Sequence, residues 1–268
     1  MWRKFGKNFG KERMKIWDVV ILLFSPIAAA LLSSAFNVNA FVSVFLFFGI
    51  PSLYLSLRNP MYVKRAALFA LAWIPLIIMA DYIAHITQTW FIPDSVNPYR
   101  LFGLVTIEIL VWMFLNIYLA VLFYEVFLDR HKVVRLKSPH IKYFFAGTLA
   151  ALLILLAMMY FAPQQLLIPY WYLVGGTTLL GTVILVQFFR SSRVFWKIVK
   201  TVPYFLYLCF TYEIIALKSG WWSFPGNEFI GWVTTFGVRF PLEEFIFWFV
   251  LLEIAALSYY ELLDDDER

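Results

Sequence analysis

The chain has 268 residues, 62% of them hydrophobic and only 15% charged, which excludes disorder and argues against a water-soluble domain. The formal net charge of +5 comes from short basic clusters between apolar runs, which argues against a nucleic-acid-binding surface. One cysteine, Cys209, excludes an intrachain disulfide, and we therefore expect an integral membrane protein.

Eight apolar stretches of membrane-crossing length follow the basic segment 1–17. They cover residues 18–36, 40–57, 66–88, 103–128, 143–162, 171–189, 202–218 and 239–260. Each stretch is long and apolar enough for one transmembrane helix. The sequence therefore predicts an all-α polytopic membrane helix bundle with about eight transmembrane helices.

The distribution of basic residues predicts the orientation of these helices. Most Lys and Arg residues lie in the N-terminal segment, in alternate loops or in the C-terminal tail. The exceptions are Arg100, Lys218 and Arg239. Because loops rich in Lys and Arg stay in the cytoplasm, both termini of this multi-pass cell-membrane protein are predicted to be cytoplasmic. Asp18, Glu125 and Glu261 would then lie at the cytoplasmic edge, where we expect water to solvate them.

The two halves of the chain show an internal repeat. An offset of 132 aligns Asp81, Ala84, Trp90 and Pro93 with Glu213, Ala216, Trp222 and Pro225. An offset of 136 aligns Glu108, Trp112, Ala120, Tyr124 and Glu125 with Glu244, Trp248, Ala256, Tyr260 and Glu261. We interpret the pattern as two parallel four-helix repeats, 18–130 and 143–262, joined by a basic linker, 131–142, and followed by an acidic tail, 263–268.

Five carboxyl groups are predicted to share a depth near the outer ends of four helices. They are Asp81, Glu108, Glu213, Glu243 and Glu244. Acidic side chains inside a membrane are costly and usually functional. Because Glu243 and Glu244 are adjacent at the head of an apolar segment, we expect at least one of them to keep its proton near neutral pH. These five groups mark the candidate site, and the deeper Glu253 has no predicted role.

Tryptophans accompany these acids. Trp112 and Trp248 each follow a glutamate by four residues, which puts them on the face of their helix that carries the acid. Trp90 and Trp222 each follow the acid of the preceding helix by nine residues. They fit either a substrate contact or an anchor at the membrane surface.

The sequence indicates no cofactor and no metal. His85, His131 and His140 lack metal-ligand spacing, and no glycine-rich loop follows a strand. We interpret His85 as a packed or hydrogen-bonded group and Cys209 as a packing residue. Proton transfer by carboxyl groups beside aromatic faces is the chemistry that remains.

The run Pro-Leu-Glu-Glu-Phe at 241–245, together with Glu213, Trp222 and the tandem repeat, resembles the small membrane lycopene cyclases of bacteria, archaea and fungi. In that family the unit occurs as two subunits or as one fused chain, and Pro-x-Glu-Glu recurs. The resemblance covers about residues 18–262. The aligned first-half run, Val-Thr-Ile-Glu at 105–108, lacks the proline and one glutamate, so the two halves need not be catalytically equal.

The resemblance implies a redox-neutral reaction that converts an acyclic ψ end of lycopene, or of a similar carotenoid, into a β-ionone ring without a cofactor. Glu244 or Glu243 would protonate the terminal double bond, and the C5–C6 alkene would capture the cation at C1. A carboxylate would then remove the C6 proton. The residues implied as this base, or as groups that tune the acid, are Glu108, Asp81 and Glu213.

The resemblance also implies how the cation and the substrate are held. Aromatic faces would stabilise the cation without trapping it. The residues implied in this role are Trp112, Trp248, Phe245 and Trp222, and Trp90 is implied as a further substrate contact. The implied partners are an acyclic carotenoid that arrives from the bilayer, membrane lipid, and other enzymes of the carotenoid pathway.

Two other interpretations of the acids stay open. A proton-coupled transporter or lipid flippase would use them as a relay, and it would need a polar path through to the cytoplasmic side. A structural or assembly subunit would use them only to lock helices together, and it would tolerate their neutralisation.

Overall fold

The structure, a computed structural model, describes residues 2–129 and 140–263. Eight helices in this part of the chain are long and apolar enough to cross a membrane. They are α1 (Trp2–Ala35), α2 (Ala40–Arg58), α3 (Pro60–Ile86), α4 (Ile107–Asp129), α5 (His140–Phe161), α6 (Trp171–Arg190), α7 (Ser192–Lys218) and α8 (Glu244–Leu263). The prediction of an all-α polytopic bundle is confirmed. Most of the predicted linker and nearly all of the predicted acidic tail lie outside the described residues.

Polar caps and prolines define where several helices begin. The Asn39 side chain accepts the Val42 N–H at 2.9 Å and so caps α2. Pro60 opens α3, where a missing N–H costs nothing because the first turn has no carbonyl partner for it. α7 consists of two helical segments, Ser192–Val199 and Val202–Lys218, and the second of them is the predicted seventh span.

α3, α4 and α8 are the most buried of the eight spanning helices, and α5 is the least buried. Aromatic side chains fill the space between the central helices and their neighbours. The rings of Phe47 and Phe48 in α2, for example, lie 5.1 and 5.2 Å from the ring of Tyr212 in α7, centroid to centroid. Such edge-on aromatic pairs contribute beyond the apolar area that they bury.

Two β-hairpins lie at one end of the bundle, which we call the hairpin end. Strands β1 (Arg100–Leu101) and β2 (Val105–Thr106) precede α4, and strands β3 (Trp232–Thr235) and β4 (Val238–Pro241) precede α8. The two spans that we predicted from residues 103 and 239 therefore begin too early, because each includes hairpin residues. Apolar strand residues that directly precede a helix are as hydrophobic as the helix itself, so hydropathy alone assigns them to the helix.

Both hairpins turn on a Phe-Gly pair with left-handed backbone. The φ angles are +52° and +80° at Phe102 and Gly103, and +47° and +79° at Phe236 and Gly237. The second hairpin closes through these two residues alone, and positive φ at both positions of a two-residue turn matches the twist of the flanking strands. The loop of the first hairpin has a third residue, Leu104. Glycine adopts this conformation without the Cβ clash that other residues meet there.

Gly237→Ala is expected to destabilise the protein by about 1–2 kcal/mol because it places a Cβ at a left-handed position. Nothing lies within 4 Å of that Cβ, so the loss would come from the backbone alone. Gly147→Ala in α5 is the control, since its Cβ also meets nothing within 4 Å and its φ is not positive. Thermal unfolding in detergent measures both. A Gly237→Ala variant as stable as Gly147→Ala would contradict the turn geometry.

Several local features of the two halves correspond at an offset of 132. The chain leaves α3 with a Thr89 N–H to Ala84 C=O bond of 2.8 Å, and it leaves α7 with a Trp221 N–H to Ala216 C=O bond of 3.0 Å. One residue from each half, Phe91 and Ser223, then pairs with the other through two backbone hydrogen bonds of 2.8 and 2.9 Å. These correspondences support the predicted duplication, whose boundaries stay a prediction.

The prediction that water solvates the acids at the opposite end of the bundle is wrong for Asp18 and Glu125, which are 5% and 1% exposed. Asp18 pairs with Arg58 at 3.0 Å and accepts a hydrogen bond from Tyr54. Glu125 accepts a hydrogen bond from Tyr260 and lies 3.5 Å from Arg65, which we had counted as a loop residue. Counting charges along the chain missed these bonds because the partners come from different helices.

At the same end of the bundle, each half of the chain donates a hydrogen bond to a glutamate of the other half. The hydroxyl of Tyr124 donates to Glu261, and the hydroxyl of Tyr260 donates to Glu125. These are the two Tyr-Glu pairs that the offset of 136 had aligned. Each half therefore supplies the hydrogen-bond donor for the carboxyl group of the other.

Candidate functional site

The two acids of α3 and α7 are each held by a tryptophan that returns from the following loop. Trp90 Nε1 donates to Asp81 Oδ1 at 2.7 Å, and Trp222 Nε1 donates to Glu213 Oε1 at 3.1 Å. Asp81 and Glu213 are both buried. Both indoles therefore point towards these acids, and Trp90 is buried whereas Trp222 is half-buried.

Glu243 and Glu244 are adjacent in sequence but have different surroundings. Glu243 accepts the backbone N–H of Ile230 at 2.6 Å and so ties the loop before β3 to the start of α8. Glu244 accepts a hydrogen bond from the hydroxyl of Tyr172 in α6. Glu244 also lines a cavity.

Glu108 resembles Glu243 in its contacts rather than Glu244. Its carboxylate accepts the Ser95 hydroxyl and the Val96 N–H, both at 2.7 Å, and so holds the loop before β1. By geometry the counterpart of Glu108 is thus Glu243, one position before the residue that the offset of 136 had aligned. The hydrogen bonds of Glu108 and Glu243 describe loop anchors.

A π-helical turn explains why the second half has one residue more than the first between its loop-anchoring glutamate and the following tryptophan. The first eight residues of α8, Glu244–Leu251, are π-helical. π-helical turns accommodate a residue more than an α-helical turn and are frequent at functional sites. Glu108 precedes Trp112 by four residues and Glu243 precedes Trp248 by five. Glu244 is therefore the additional residue, and it faces the cavity.

The cavity beside Glu244 has about 360 Å³ of empty space and walls that are almost entirely aromatic or aliphatic. Its lining includes Glu244, Tyr172, Trp90, Trp112, Trp222 and Trp248. Four of the five aromatic residues predicted to contact substrate are therefore brought together here. Phe245 is not in this lining, and its ring packs against Phe249 at 5.9 Å instead.

A second cavity of about 440 Å³ shares Trp90, Trp112 and Trp248 with the first. Asp81 is among the residues that line this second cavity. The ring of Trp248 lies 5.6 Å from that of Trp90 and 6.1 Å from that of Trp112. These three indoles, which we call the indole wall, line both cavities, and Glu244 lines the first whereas Asp81 lines the second.

Tyr172 is the functional residue that the sequence did not reveal, although one signal for it exists. Gly176 lies four residues later on the same face of α6. A Cβ at Gly176 would come within 2.5 Å of the Phe247 ring, so glycine allows α6 to approach α8 closely. That approach brings the Tyr172 hydroxyl to Glu244.

Tyr172→Phe is expected to lower the free energy of unfolding by about 1–3 kcal/mol because the buried Glu244 Oε2 loses its donor. Tyr160→Phe, whose side chain is 82% exposed, is the matched control and should change stability little. Chemical unfolding in detergent compares the two variants. An equal effect of both would show that the Tyr172 hydroxyl is not a significant partner of Glu244.

Neither the comparisons with known proteins nor the arrangement of possible metal-binding side chains assigns a function. No family model, curated protein or solved structure matches the chain. Among the described residues, no three His, Cys, Asp or Glu side chains are arranged to hold a metal ion. The arrangement offers buried carboxyl groups beside indole faces in an apolar cavity, which suits proton transfer to and from an apolar molecule.

Proposed function

We propose that the protein is a membrane carotenoid cyclase that converts an acyclic ψ end group of lycopene, or of a similar carotenoid, into a β-ionone ring. One observation carries the proposal. Glu244 lines an aromatic cavity, and Asp81 lines an adjoining cavity that shares Trp90, Trp112 and Trp248 with the first. A proton-initiated cyclisation needs one group that gives a proton and one that takes a proton, both close to an apolar chain.

Glu244 is the proposed proton donor. Its Oε2 accepts the Tyr172 hydroxyl, which leaves Oε1 to carry the acidic proton. Transfer of that proton to the terminal double bond leaves Glu244 as a carboxylate and produces a cation at C1. The C5–C6 alkene attacks C1 and closes the ring, and the positive charge moves to C5.

Asp81 is the proposed base that removes the C6 proton. Its Oδ1 holds the Trp90 indole at 2.7 Å, and its Oδ2 accepts no hydrogen bond among the described residues. Loss of the C6 proton forms the ring double bond and leaves Asp81 neutral, so the reaction consumes no electrons. The other predicted bases suit this role less, since Glu108 anchors a loop and Glu213 is beside the donor.

The indole wall would protect the cation. Trp90, Trp112 and Trp248 offer π faces, which attract a positive charge without forming a bond to it. The cavity is lined almost wholly by apolar atoms, and exclusion of water prevents quenching of the cation. We propose that the substrate reaches the site from the surrounding lipid and that other enzymes of the carotenoid pathway supply it.

Expression of the full chain in cells that accumulate lycopene tests the proposal. We expect carotenoids with one or two β rings, identified by chromatography and mass spectrometry as isomers of lycopene. Cells with the empty vector are the control. Unchanged lycopene in cells whose membranes contain the inserted protein would contradict the proposed function.

A proton-coupled transporter or lipid flippase is the second candidate, and one observation favours it. Glu253 is buried in α8, where it accepts hydrogen bonds from Asn116 Nδ2 at 3.2 Å and from Cys209 Sγ at 3.8 Å. This acid lies between the cavity and the Tyr260 hydroxyl that donates to Glu125. Proton uptake by reconstituted vesicles, lost in Glu253→Gln while lycopene stays unchanged, would support transport over cyclisation.

A further inference from the structure

A third cavity adjoins the first and second cavities. It has about 370 Å³ of empty space, and residues of α3, α6 and α8 line it together with Trp90. It shares Trp90 and Trp248 with both of the other cavities, and it shares Ala80 and Leu180 with the second. The three cavities therefore meet at the indoles of Trp90 and Trp248.

The lining of the third cavity is apolar. Among the described residues that line it, none is charged. The indole of the buried Trp171 donates to the Ala80 carbonyl oxygen at 3.2 Å, and the Tyr172 hydroxyl donates to Glu244. This lining offers no charge to a polar head group, and it suits an apolar chain.

α6 and α8 are π-helical where they line this cavity. The π-helical segments are Thr177–Gly181 in α6 and Glu244–Leu251 in α8. They contribute Leu180 and Phe247, among other residues, to the lining. Because π-helical turns are frequent at functional sites, their occurrence in both helices favours a functional cavity over a packing defect.

Two hydrogen bonds fix α6 against its neighbours at this cavity. Besides the bond from Trp171 to Ala80 of α3, the Tyr259 hydroxyl of α8 donates to the Leu179 carbonyl oxygen at 3.2 Å. Gly175 leaves room for the Trp171 indole, since a Cβ there would lie 3.1 Å from the ring. The spacing of α3, α6 and α8 around the cavity is therefore set by contacts of the fold itself.

The proposed substrate needs space beyond the first two cavities. A carotenoid is a long linear polyene, and only its end group changes during cyclisation. When that end lies beside Glu244 and Asp81, the part of the chain that follows has to extend out of the first two cavities. The third cavity adjoins both of them, so it offers the chain an apolar continuation.

We propose that the third cavity binds the polyene chain that follows the cyclised end group, and that Ala80 and Leu180 determine which chains can enter it. This inference rests on the proposed cyclase function, to which it adds a binding site for the unreactive part of the substrate. Leu180 is 5% exposed, so a larger side chain at this position has to extend into the cavities. An acyl chain of membrane lipid is the competing occupant.

Leu180→Trp adds bulk to the third cavity, and Leu185→Trp makes the same change at a position of α6 that is 58% exposed. Both full-length variants are assayed in lipid vesicles with lycopene and with a shorter acyclic polyene that carries the same ψ end. We expect Leu180→Trp to lose about tenfold in ring formation from lycopene, since exclusion of about two chain carbons weakens binding by about that factor. Leu185→Trp should match the wild type with both substrates.

The shorter polyene separates the third cavity from the second, which Leu180 also lines. Bulk that disturbs the reacting end beside Asp81 would slow both substrates. Bulk that blocks only the chain should slow lycopene and leave the rate with the shorter polyene close to that of the wild type. Protein recovered in the membrane fraction is quantified for each variant, so that rates are compared per inserted molecule.

Binding of lycopene is measured separately from ring formation. A polyene held in a protein cavity acquires circular dichroism in its visible absorption band. This induced signal should fall in Leu180→Trp and persist in Leu185→Trp. Ala80→Leu, a smaller change in the lining of the same cavity, should also lower the signal, and it replaces Leu180→Trp if that variant does not insert.

Equal losses with the two substrates, or undiminished binding of lycopene by the cavity variants, would overturn the inference. A lipid that copurifies with the wild type, is absent from Leu180→Trp and is not displaced by lycopene would overturn it as well, because the acyl chain would then be the occupant. Absence of ring formation by the wild type would instead refute the proposed function, and the induced dichroism would still decide whether a polyene occupies the third cavity.

Discussion

Glu244→Gln is expected to lower ring formation by about 10²- to 10⁴-fold, the usual contribution of a positioned general acid. Glutamine has nearly the same shape, and its amide oxygen can still accept the Tyr172 hydroxyl. The variant should therefore fold and insert normally. What it lacks is the proton that the mechanism gives to the terminal double bond.

Pigment analysis in lycopene-accumulating cells measures this loss, and two other glutamates provide controls. Glu228→Gln changes an exposed loop residue whose carboxylate accepts the Tyr170 N–H at 3.0 Å, and it should have no effect. Glu243→Gln keeps an oxygen for the Ile230 N–H and should retain most activity. Full activity in Glu244→Gln together with none in Glu243→Gln would reverse the roles assigned to the adjacent pair.

Arg65→Ala is expected to destabilise the protein by about 3–5 kcal/mol, because removal of one partner leaves the other charge buried. Arg65 and Glu125 are 4% and 1% exposed, and Arg65 NH1 lies 3.5 Å from Glu125 Oε1. The guanidinium also lies 4.9 Å from the centre of the Tyr260 ring. Its loss removes an ion pair and a cation–π contact together.

Unfolding in detergent compares this variant with Arg58→Ala. The Arg58 side chain is 36% exposed in its 3.0 Å pair with Asp18, so its removal should cost no more than about 1 kcal/mol. The double variant Arg65→Met with Glu125→Leu should recover much of the stability, since an apolar pair can replace a buried ion pair. Equal losses in the two single variants would show that burial of Arg65 does not determine its contribution.

The spanning helices were predictable because a run of about 20 consecutive, mostly apolar residues is enough to identify a helix that crosses a membrane. Predicted and observed bounds differ by a few residues for most helices, as for 171–189 against Trp171–Arg190. The predicted fourth and eighth spans begin too early because they include apolar hairpin residues such as Val105 and Phe240. These residues are as hydrophobic as the first residues of a spanning helix. Patterns along the chain do not distinguish a buried strand from a buried helix turn.

The site was predictable only where its parts repeat along the sequence. The nine-residue spacing of Asp81 and Trp90 indicated a related pair, and the structure turns that spacing into a hydrogen bond. Tyr172 carried no such pattern, because its hydrogen bond to Glu244 depends on how closely α6 approaches α8. The equivalence of Glu108 and Glu243 also required the π-helical turn, which no residue spacing indicates.

The backbone pairing of Phe91 with Ser223 has a consequence for communication within the molecule. Each of these residues directly follows a tryptophan that donates a hydrogen bond to an acid. The two tryptophans are therefore connected by a short stretch of backbone and the two hydrogen bonds between Phe91 and Ser223. We therefore expect that a bound molecule that displaces one indole also shifts the other through this backbone pairing. Asp81 in α3 and Glu213 in α7 are thus connected through their tryptophans. Binding of a molecule beside one of these acids is expected to change the position of the other.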